Sequence, residues 1–228
     1  YSDFRYRPNE DSEFFLNIGQ SFTDLRGNGA LPLTLMDIEG RDAVYTYPDN
    51  THNKNYYMNL GGNLFVNEEL SFQGNMYYRH MERRNYNGDE FEGADCGLNF
   101  DRTGAANNTL CSEFESNTDG VELFDVSGNT IDYNNLGLEV DDDENEIEDF
   151  GAINRSNTKT NAFGLNFQST LDSSLFELNN TFISGLNYDF SKNSFGSSTE
   201  LGIIQNDRGV QGTGVFVSTD EEGEQQFI

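Results

Sequence analysis

Strict alternation of apolar and polar side chains over long runs is the feature that most constrains the fold of this chain. From 57 to 66, Met, Leu and Val at even positions alternate with Asn, Gly and aromatic residues at odd positions. A period of two places successive side chains on opposite faces of a β-strand. The same pattern returns at 14–22, 70–79, 163–171 and 176–190, in runs of about 10 to 15 residues, whereas strands of soluble proteins average about 5–6 residues. The pattern predicts an all-β, antiparallel meander of long hairpins, with a further partial strand at Ser2–Arg7.

The connections between these runs alternate in length. Short polar turns join the two runs of each hairpin, and long polar segments join one hairpin to the next. Short turns on one side and long loops on the other are typical of outer-membrane barrels. The short turns are expected near 8–11, 67–69 and 172–175, and the long segments at about 25–53, 83–158 and 192–228.

The two faces differ in charge. The charged residues in mid-strand, Arg79, Glu177 and Asp189, all lie on the polar face. Arg or Lys facing lipid near mid-membrane costs about 2–4 kcal/mol, so the apolar face is expected to meet lipid and the polar face a lumen. The residues predicted to face the lumen are Asn59, Asn63, Gln73, Asn75, Arg79, Asn166, Gln168, Asn179 and Asn187.

Aromatic residues gather at both ends of the runs, as in the girdles of transmembrane barrels. Phe14, Phe65, Phe72 and Phe176 lie towards the short turns; Phe22, Tyr56, Tyr57, Tyr77, Tyr78, Tyr188 and Phe190 lie towards the long segments. A soluble β-sandwich also alternates and has an aromatic inner face. It remains the alternative, although run length and turn order favour a barrel.

Composition excludes several functions. The chain has 228 residues, with 13 basic against 40 acidic side chains and a formal charge of −27, which argues against nucleic-acid binding. Its aromatic content of 13% argues against disorder. No nucleophile, phosphate-loop or zinc-protease motif is present, and neither His52 nor His80 has a companion at ligand spacing. The sequence therefore predicts neither an enzyme nor a cofactor.

The two cysteines, Cys96 and Cys111, lie in a polar segment rich in Gly and Asn. A lone pair does not make a zinc site. A disulfide formed in an oxidising compartment is favoured over two free thiols, because such a segment gives a thiol little apolar cover.

The long segment 83–158 is expected to be an acidic extracellular loop. Its most acidic part, Glu139–Asp149, lacks the spacing of an EF-hand. A solvated loop tip is therefore favoured over a Ca²⁺ site. The residues that would form such a site are Asp141, Asp142, Asp143 and Glu144.

Aromatic residues in the predicted loops could stack on a small polar ligand. They could equally pack on one another as the loops fold. The ligand candidates are Tyr45, Tyr47, Tyr86, Phe91 and Tyr133.

Two groups of motifs suggest a family. The first comprises Arg26-Gly-Asn-Gly-Ala-Leu-Pro-Leu, Arg41-Asp-Ala-Val-Tyr-Thr-Tyr-Pro-Asp and the hairpin to Arg79. The second comprises Ala162–Gln168, Glu177–Phe195, Glu200-Leu-Gly and Asp207-Arg208. Over roughly 1–84 and 159–217 the chain thus resembles TonB-dependent receptors of Gram-negative bacteria, whereas 85–158 resembles no family.

The resemblance implies an outer-membrane barrel of about 22 strands, closed by an N-terminal plug, that imports a scarce ligand with energy delivered through TonB. Such receptors take up ferric siderophores, cobalamin, haem or oligosaccharides. The chain would supply about six strands and would lack the plug. Its start at Tyr1-Ser2-Asp3, without an initiator Met, leads us to expect a piece of a longer protein. The competing hypothesis is an acidic β-sandwich adhesin, secreted or on the surface, with Ca²⁺ as an optional stabilising ion.

Overall fold

The computed structural model describes residues 1–27, 31–99, 108–112, 121–140 and 147–218, and within these ranges the protein is all-β. Its strands are β1 Ser2–Asn9, β2 Ser12–Arg26, β3 Asp49–Phe65, β4 Leu70–Glu90, β5 Gly93–Asp95, β6 Leu110–Ser112, β7 Val121–Glu122, β8 Phe124–Asp125, β9 Phe150–Leu175, β10 Leu178–Ile204 and β11 Val210–Ser218. The helical pieces are α1 Leu33–Glu39, α2 Cys96–Asn99 and a 3₁₀ turn at Tyr133–Leu136. None of the helices in the described ranges has the length and apolar character needed to cross a membrane.

Eight strands form an antiparallel sheet in the order β1-β2-β3-β4-β9-β10-β11-β8. The predicted meander of long hairpins is confirmed, since all six predicted runs are strands, now β1 to β4, β9 and β10. The described strands do not close the sheet into a barrel, because β1 and β8 are its two edges. A second sheet has three short strands in the order β5-β6-β7.

Two of the predicted short turns are confirmed. β1 and β2 are joined at Glu10 and Asp11, next to the pair Asn9↔Ser12. Between β3 and β4, Asn67 Oδ1 accepts hydrogen bonds from the backbone N–H of Glu69 at 2.9 Å and of Leu70 at 2.8 Å. An Asn side chain that accepts a hydrogen bond from the backbone two residues later stabilises a turn. This preference explains why the turn could be predicted from the sequence.

The third predicted turn, at 172–175, is wrong. β9 continues through Leu175, and the turn is formed by Phe176 and Glu177, which have φ of 56° and 66°. Asp172 belongs to the paired region, because its Oδ1 accepts a 2.5 Å hydrogen bond from Thr181 Oγ1. The turn-like composition of Asp-Ser-Ser was overridden by cross-strand pairing. Phe and Glu give no sign of a turn, since neither favours positive φ.

The long segments were also predicted too long. β4 extends to Glu90, β9 begins at Phe150, and β9 and β10 have 26 and 27 residues. β11, within the segment expected to be a loop at 192–228, was missed. The described strands therefore continue well beyond the alternating runs.

The chain divides into two compact units. Unit 1 comprises 1–23, 52–83 and 158–195, and unit 2 comprises 24–51, 84–157 and 196–228. In unit 1 the pairing of β3 with β4 keeps one register. The backbone hydrogen bond from Val66 to Leu70 at the turn and the contact between the rings of Tyr56 and His80 near the other end are both consistent with it. β3 and β4 thus each keep one polar and one apolar face within unit 1.

Unit 2 has its own hydrophobic core, which corrects the prediction that 83–158 is an acidic loop. The chain between β4 and β9 carries β5 to β8 and contributes most of this core. Its buried residues are Leu110, Leu123, Ile131, Tyr133, Leu138, Ile147, Phe150, Leu201 and Val217. Sequence analysis missed the core because these apolar residues are scattered singly among Asn, Asp and Gly, with neither strand nor helix periodicity.

Candidate functional site: a polar trough lined by asparagines

Five asparagines on neighbouring strands of unit 1 form a continuous ladder of side-chain hydrogen bonds. Asn187 Nδ2 donates to Asn166 Oδ1, and Asn166 Nδ2 donates to Asn75 Oδ1 at 3.2 Å. Asn75 Nδ2 donates to Asn59 Oδ1 at 2.9 Å, and Asn59 Nδ2 donates to Asn17 Oδ1 at 3.5 Å. The ladder crosses the sheet from β10 to β2, and every link runs in the same direction. Hydrogen bonds in such a chain polarise one another.

The ladder lies in a concave trough of about 730 Å³ on the polar face of unit 1. Near one end Arg5 and Glu13 form an ion pair, with Nη1 and Oε1 3.1 Å apart. Most of the other polar lining groups are neutral amides. Amides donate and accept hydrogen bonds but do not titrate near neutral pH, so the trough can bind and orient polar groups without transferring protons.

Glycines on the polar face of unit 1 let aromatic side chains lie across a neighbouring strand. Tyr77 of β4 reaches over Gly164 of β9, and its Oη donates to Asp189 Oδ1 of β10 at 2.5 Å. A Cβ at Gly164 would lie 2.6 Å from Tyr77 Cζ and from Asp189 Oδ1. Phe15 similarly covers Gly61, where a Cβ would lie 2.5 Å from Phe15 Cζ. Such aromatic cover of strand glycines fixes register and fills the missing side-chain volume.

Seven of the nine predicted lumen residues line this trough: Asn59, Asn63, Gln73, Asn75, Asn166, Gln168 and Asn187. Arg79 and Asn179 share the polar face by strand alternation but are not part of its lining. The prediction omitted Asn17, Arg5 and Glu13. Alternation with Phe14 and Leu16 already placed Asn17 on the polar face, but the ion pair depends on the pairing of β1 with β2.

The opposite face of unit 1 exposes its large apolar side chains to solvent. They include Phe4, Phe14, Ile18, Phe22, Met58, Leu60, Leu64, Met76, Phe163, Phe167, Leu171, Leu178, Phe182, Leu186 and Phe190. In the described residues of unit 1 no second layer covers them. Phe72 and Phe167 stack with ring centroids 5.8 Å apart beside a groove of about 380 Å³.

A row of aromatic and amide groups crosses the apolar face near the end that leads to the long segments. Phe22 meets Tyr56 edge-on at 5.8 Å, and Tyr56 lies 6.1 Å from His80. Tyr78 Oη donates to Asn161 Oδ1 at 2.9 Å, and His80 Nδ1 lies 2.8 Å from the same oxygen. His80 is thus part of an aromatic row on the apolar face.

Two of the aromatic ligand candidates, Phe91 and Tyr133, pack in or against the core of unit 2. Phe91 packs edge-on against Phe150 with centroids 5.1 Å apart. Tyr133 is buried and donates to Asp95 Oδ2 at 2.9 Å. Burial, and next this hydrogen bond, raise the pKa of Tyr133 to about 12. Of the two interpretations that the sequence left open, packing applies to both.

The other three candidates are held by polar or cationic partners. Tyr45 Oη donates to Glu90, and the Arg208 guanidinium lies 4.8 Å from the ring of Tyr45. The Arg155 guanidinium lies 5.0 Å from the ring of Tyr86. These contacts fix the rings rather than leaving them open for stacking.

Tyr47, the remaining candidate, is bonded to a carboxylate of unit 2. Its Oη donates to Asp207 Oδ2 at 2.7 Å, and this hydrogen bond raises the pKa of Tyr47 and lowers the pKa of Asp207. The backbone N–H of Gly209 donates to the other oxygen of Asp207 at 3.0 Å, which lowers that pKa further. The motif residue Asp207 thus anchors a tyrosine.

Cys96 and Cys111 form a disulfide, as predicted, and both are fully buried. The adjacent Asp95 is 1% exposed. Its carboxylate accepts from the N–H groups of Gly97 at 2.7 Å and Asn108 at 2.8 Å, as well as from Tyr133. A buried carboxylate with three donors is satisfied, so this cluster holds the core of unit 2 together.

The four Ca²⁺ candidates, Asp141, Asp142, Asp143 and Glu144, lie outside the described residues. The flanking residues Val140 and Ile147 pair with each other. No group of three or more His, Cys, Asp or Glu side chains suited to a metal occurs in the ranges that the structure describes.

No family model matches this sequence, and no curated protein matches it.

Proposed function

We propose that this chain is a segment of a TonB-dependent receptor in the outer membrane of a Gram-negative bacterium. Such a receptor takes up a scarce nutrient, such as a ferric siderophore, cobalamin or an oligosaccharide. In this proposal unit 1 is part of the wall of a barrel of about 22 strands, embedded in outer-membrane lipid. The energy-coupling partner is TonB, reached through a plug that lies outside this chain.

The observation that carries the proposal is the contrast between the two faces of unit 1. From Tyr56 to Leu64 and from Leu70 to Tyr78, the apolar face carries no charged side chain, and most of its large residues are exposed. Exposing so much apolar surface to water is unfavourable, at about 25 cal/mol per Å². A hydrocarbon environment removes this cost.

Strand length and connection order support the same proposal. A tilted strand needs about 9–11 residues to cross a membrane, and β2, β3 and β4 have 15, 17 and 21 residues. The turns at 10–11, 66–69 and 176–177 are short and lie at one end of unit 1. In outer-membrane barrels, that end faces the periplasm.

The polar trough is assigned to the inner wall of the barrel. Its amides would hydrogen-bond the plug, water or a passing polar ligand, and its ladder leaves the asparagines satisfied where no partner is present.

The proposal is tested by placing one charge on each face. Leu60→Arg puts a cation on the apolar face, and Gln73→Arg puts one on the exposed wall of the trough outside the ladder. We expect Leu60→Arg to reduce the folding free energy in lipid vesicles by about 2–4 kcal/mol, and Gln73→Arg to change it by less than about 1 kcal/mol. Urea unfolding in the vesicles measures both.

Equal effects of the two substitutions would contradict the lipid-facing assignment. A chain that is folded and monodisperse in buffer without detergent would contradict membrane insertion, and would favour the adhesin if Ca²⁺ then raised its melting temperature. Sequencing the gene on both sides tests the family itself. A plug and a TonB-contacting segment upstream are expected, and a short secreted reading frame would remove the transport proposal.

A further inference from the structure

The chain has only three lysines, Lys54, Lys159 and Lys192, and all three lie on the apolar face of unit 1, near the end that leads to the long segments. Each is exposed and lies on the β3, β9 or β10 strand. In a chain whose formal charge is −27, the grouping of every lysine on one face calls for a physical explanation.

The register fixes this placement. On β3, Lys54 follows the alternation of Tyr56, Met58 and Leu60, because the backbone bonds Gly27–Asp49 and Phe65–Asp11 belong to one unbroken register with β2. On β9 and β10, the bonds Thr160–Asn193 and Thr181–Asp172 likewise share one register. Lys159 and Lys192 are therefore on the same face as Phe163 and Phe190.

Lys54 and Lys159 lie just beyond the aromatic row, and Lys192 lies at the level of the row itself, opposite Asn161. Lys54 is two residues from Tyr56, Lys159 is two from Asn161, and Lys192 is two from Phe190. Two residues of strand span roughly 7 Å. Aromatic girdles lie at the level of the lipid headgroups, so the ammonium groups are at the level of the headgroup phosphates, on the side of the long segments.

One acidic side chain faces the same row. Glu82 of β4 lies opposite both Lys54 and Lys159 in the register that pairs Tyr56 with His80 and His80 with Asn161. Lys192 is at the diagonal position from Lys159, and such positions are roughly 7–8 Å apart. Two flexible ammonium groups at this spacing can both reach one phosphate group.

We propose that this lysine row, Lys54, Lys159 and Lys192, binds the phosphate groups of a phosphorylated lipid in the outer leaflet. The inference rests on the proposed function, which places this face in lipid. Binding is purely electrostatic and hydrogen-bonded, and Glu82 weakens it by repelling the phosphate.

The test is titration of the full chain, in micelles of a zwitterionic detergent, with diphosphoryl lipid A, followed by calorimetry. The variant Lys54→Gln/Lys159→Gln/Lys192→Gln is expected to bind about 100-fold more weakly, since one lysine near an anionic membrane surface contributes about five-fold. Glu82→Gln is expected to bind more tightly. The matched control Arg7→Gln/Arg79→Gln/Arg83→Gln removes the same charge from the polar face and is expected to stay within about two-fold of the parent chain.

Equal affinities of the lysine variant and the control would overturn the inference while leaving the receptor proposal intact. So would equal binding of dephosphorylated lipid A, which would indicate apolar anchoring alone. Displacement of lipid A by equimolar inorganic phosphate would overturn the lipid assignment in favour of a free-anion site. A chain that does not associate with micelles would overturn the proposed function itself, and this inference with it. Circular dichroism of each variant confirms that it is folded.

Discussion

Tyr77 Oη donates a 2.5 Å hydrogen bond to Asp189 Oδ1 across the intervening strand β9. The bond is possible only because Gly164 leaves the surface of β9 open beneath the tyrosine ring. A single missing side chain on β9 thus allows β4 and β10, which are not neighbours, to be linked directly. On the polar face of unit 1, such a link restrains the sheet by joining two strands that do not pair with each other.

Gly164→Ala is expected to destabilise unit 1 by about 1–3 kcal/mol, the usual cost of overpacking. The new methyl group would lie 2.6 Å from Tyr77 Cζ, so the ring must leave its place over β9. Urea unfolding in micelles measures the change. The matched control is Gly19→Ala, where the nearest atom is 3.6 Å away and the substitution should be neutral or slightly stabilising. In the Gly164→Ala background, Tyr77→Phe should have no further effect; an additive effect would mean that the ring still reaches Asp189.

Asn75 lies in the middle of the ladder. Replacing it should therefore lower the free energy of unfolding more than replacing Asn17, which lies at one end. Asn75→Ala leaves a donor of Asn166 and an acceptor of Asn59 without partners, which should cost about 1–2 kcal/mol. Asn17→Ala breaks only the 3.5 Å link and should cost less than about 0.5 kcal/mol. Equal losses of unfolding free energy for the two variants would show that the ladder does not act as a connected chain.

The strands, their polar and apolar faces and two of the three short turns could be predicted from the sequence, because each depends on residues that are close together along the chain. Alternation around Asn59 and Asn75 was enough to place both on the polar face, and the side chain of Asn67 marked a turn. The polar trough was thus largely predictable as a set of residues. Its hydrogen bonds were not, since they depend on the register between strands that are far apart in the sequence.

The folded part of unit 2 could not be predicted for a related reason. Phe91 and Tyr133 sit in polar surroundings in the sequence, and only the pairing of β5 with β6 and the disulfide bring their apolar neighbours together. The position of the turn at Phe176 and Glu177 could not be predicted for a different reason. There the requirement for positive φ was imposed by the flanking strands on residues that do not favour it.

Loss of the disulfide should destabilise unit 2. Cys96 and Cys111 are 15 residues apart, and closing a loop of this length is worth about 3 kcal/mol. We expect Cys96→Ser/Cys111→Ser to increase hydrogen exchange at the amides of β5 and β6 and at the adjacent N–H of residue 96, which in the parent chain bonds Thr109 O at 2.9 Å. Amides of β3 in unit 1 serve as the internal control. Unchanged exchange in β5 and β6 would show that the hydrophobic core alone holds these strands.

The pKa of Tyr133, which burial raises to about 12 from an ordinary value of 10.0, predicts a loss of stability in alkali. Below pH 10 the tyrosine is protonated in both the folded and the unfolded chain, and its contribution is fully present. Between pH 10 and about 12 the unfolded chain releases the proton and the folded chain retains it, so the free energy of unfolding falls as the pH rises. Tyr133→Phe keeps the ring in the core but removes the titrating group, and should abolish this part of the pH dependence while losing the hydrogen bond to Asp95. Difference titration of tyrosinate absorbance between the two chains gives the pKa directly. A difference centred near pH 10 would mean that the hydroxyl group is open to solvent and that Asp95 is held by its backbone donors alone.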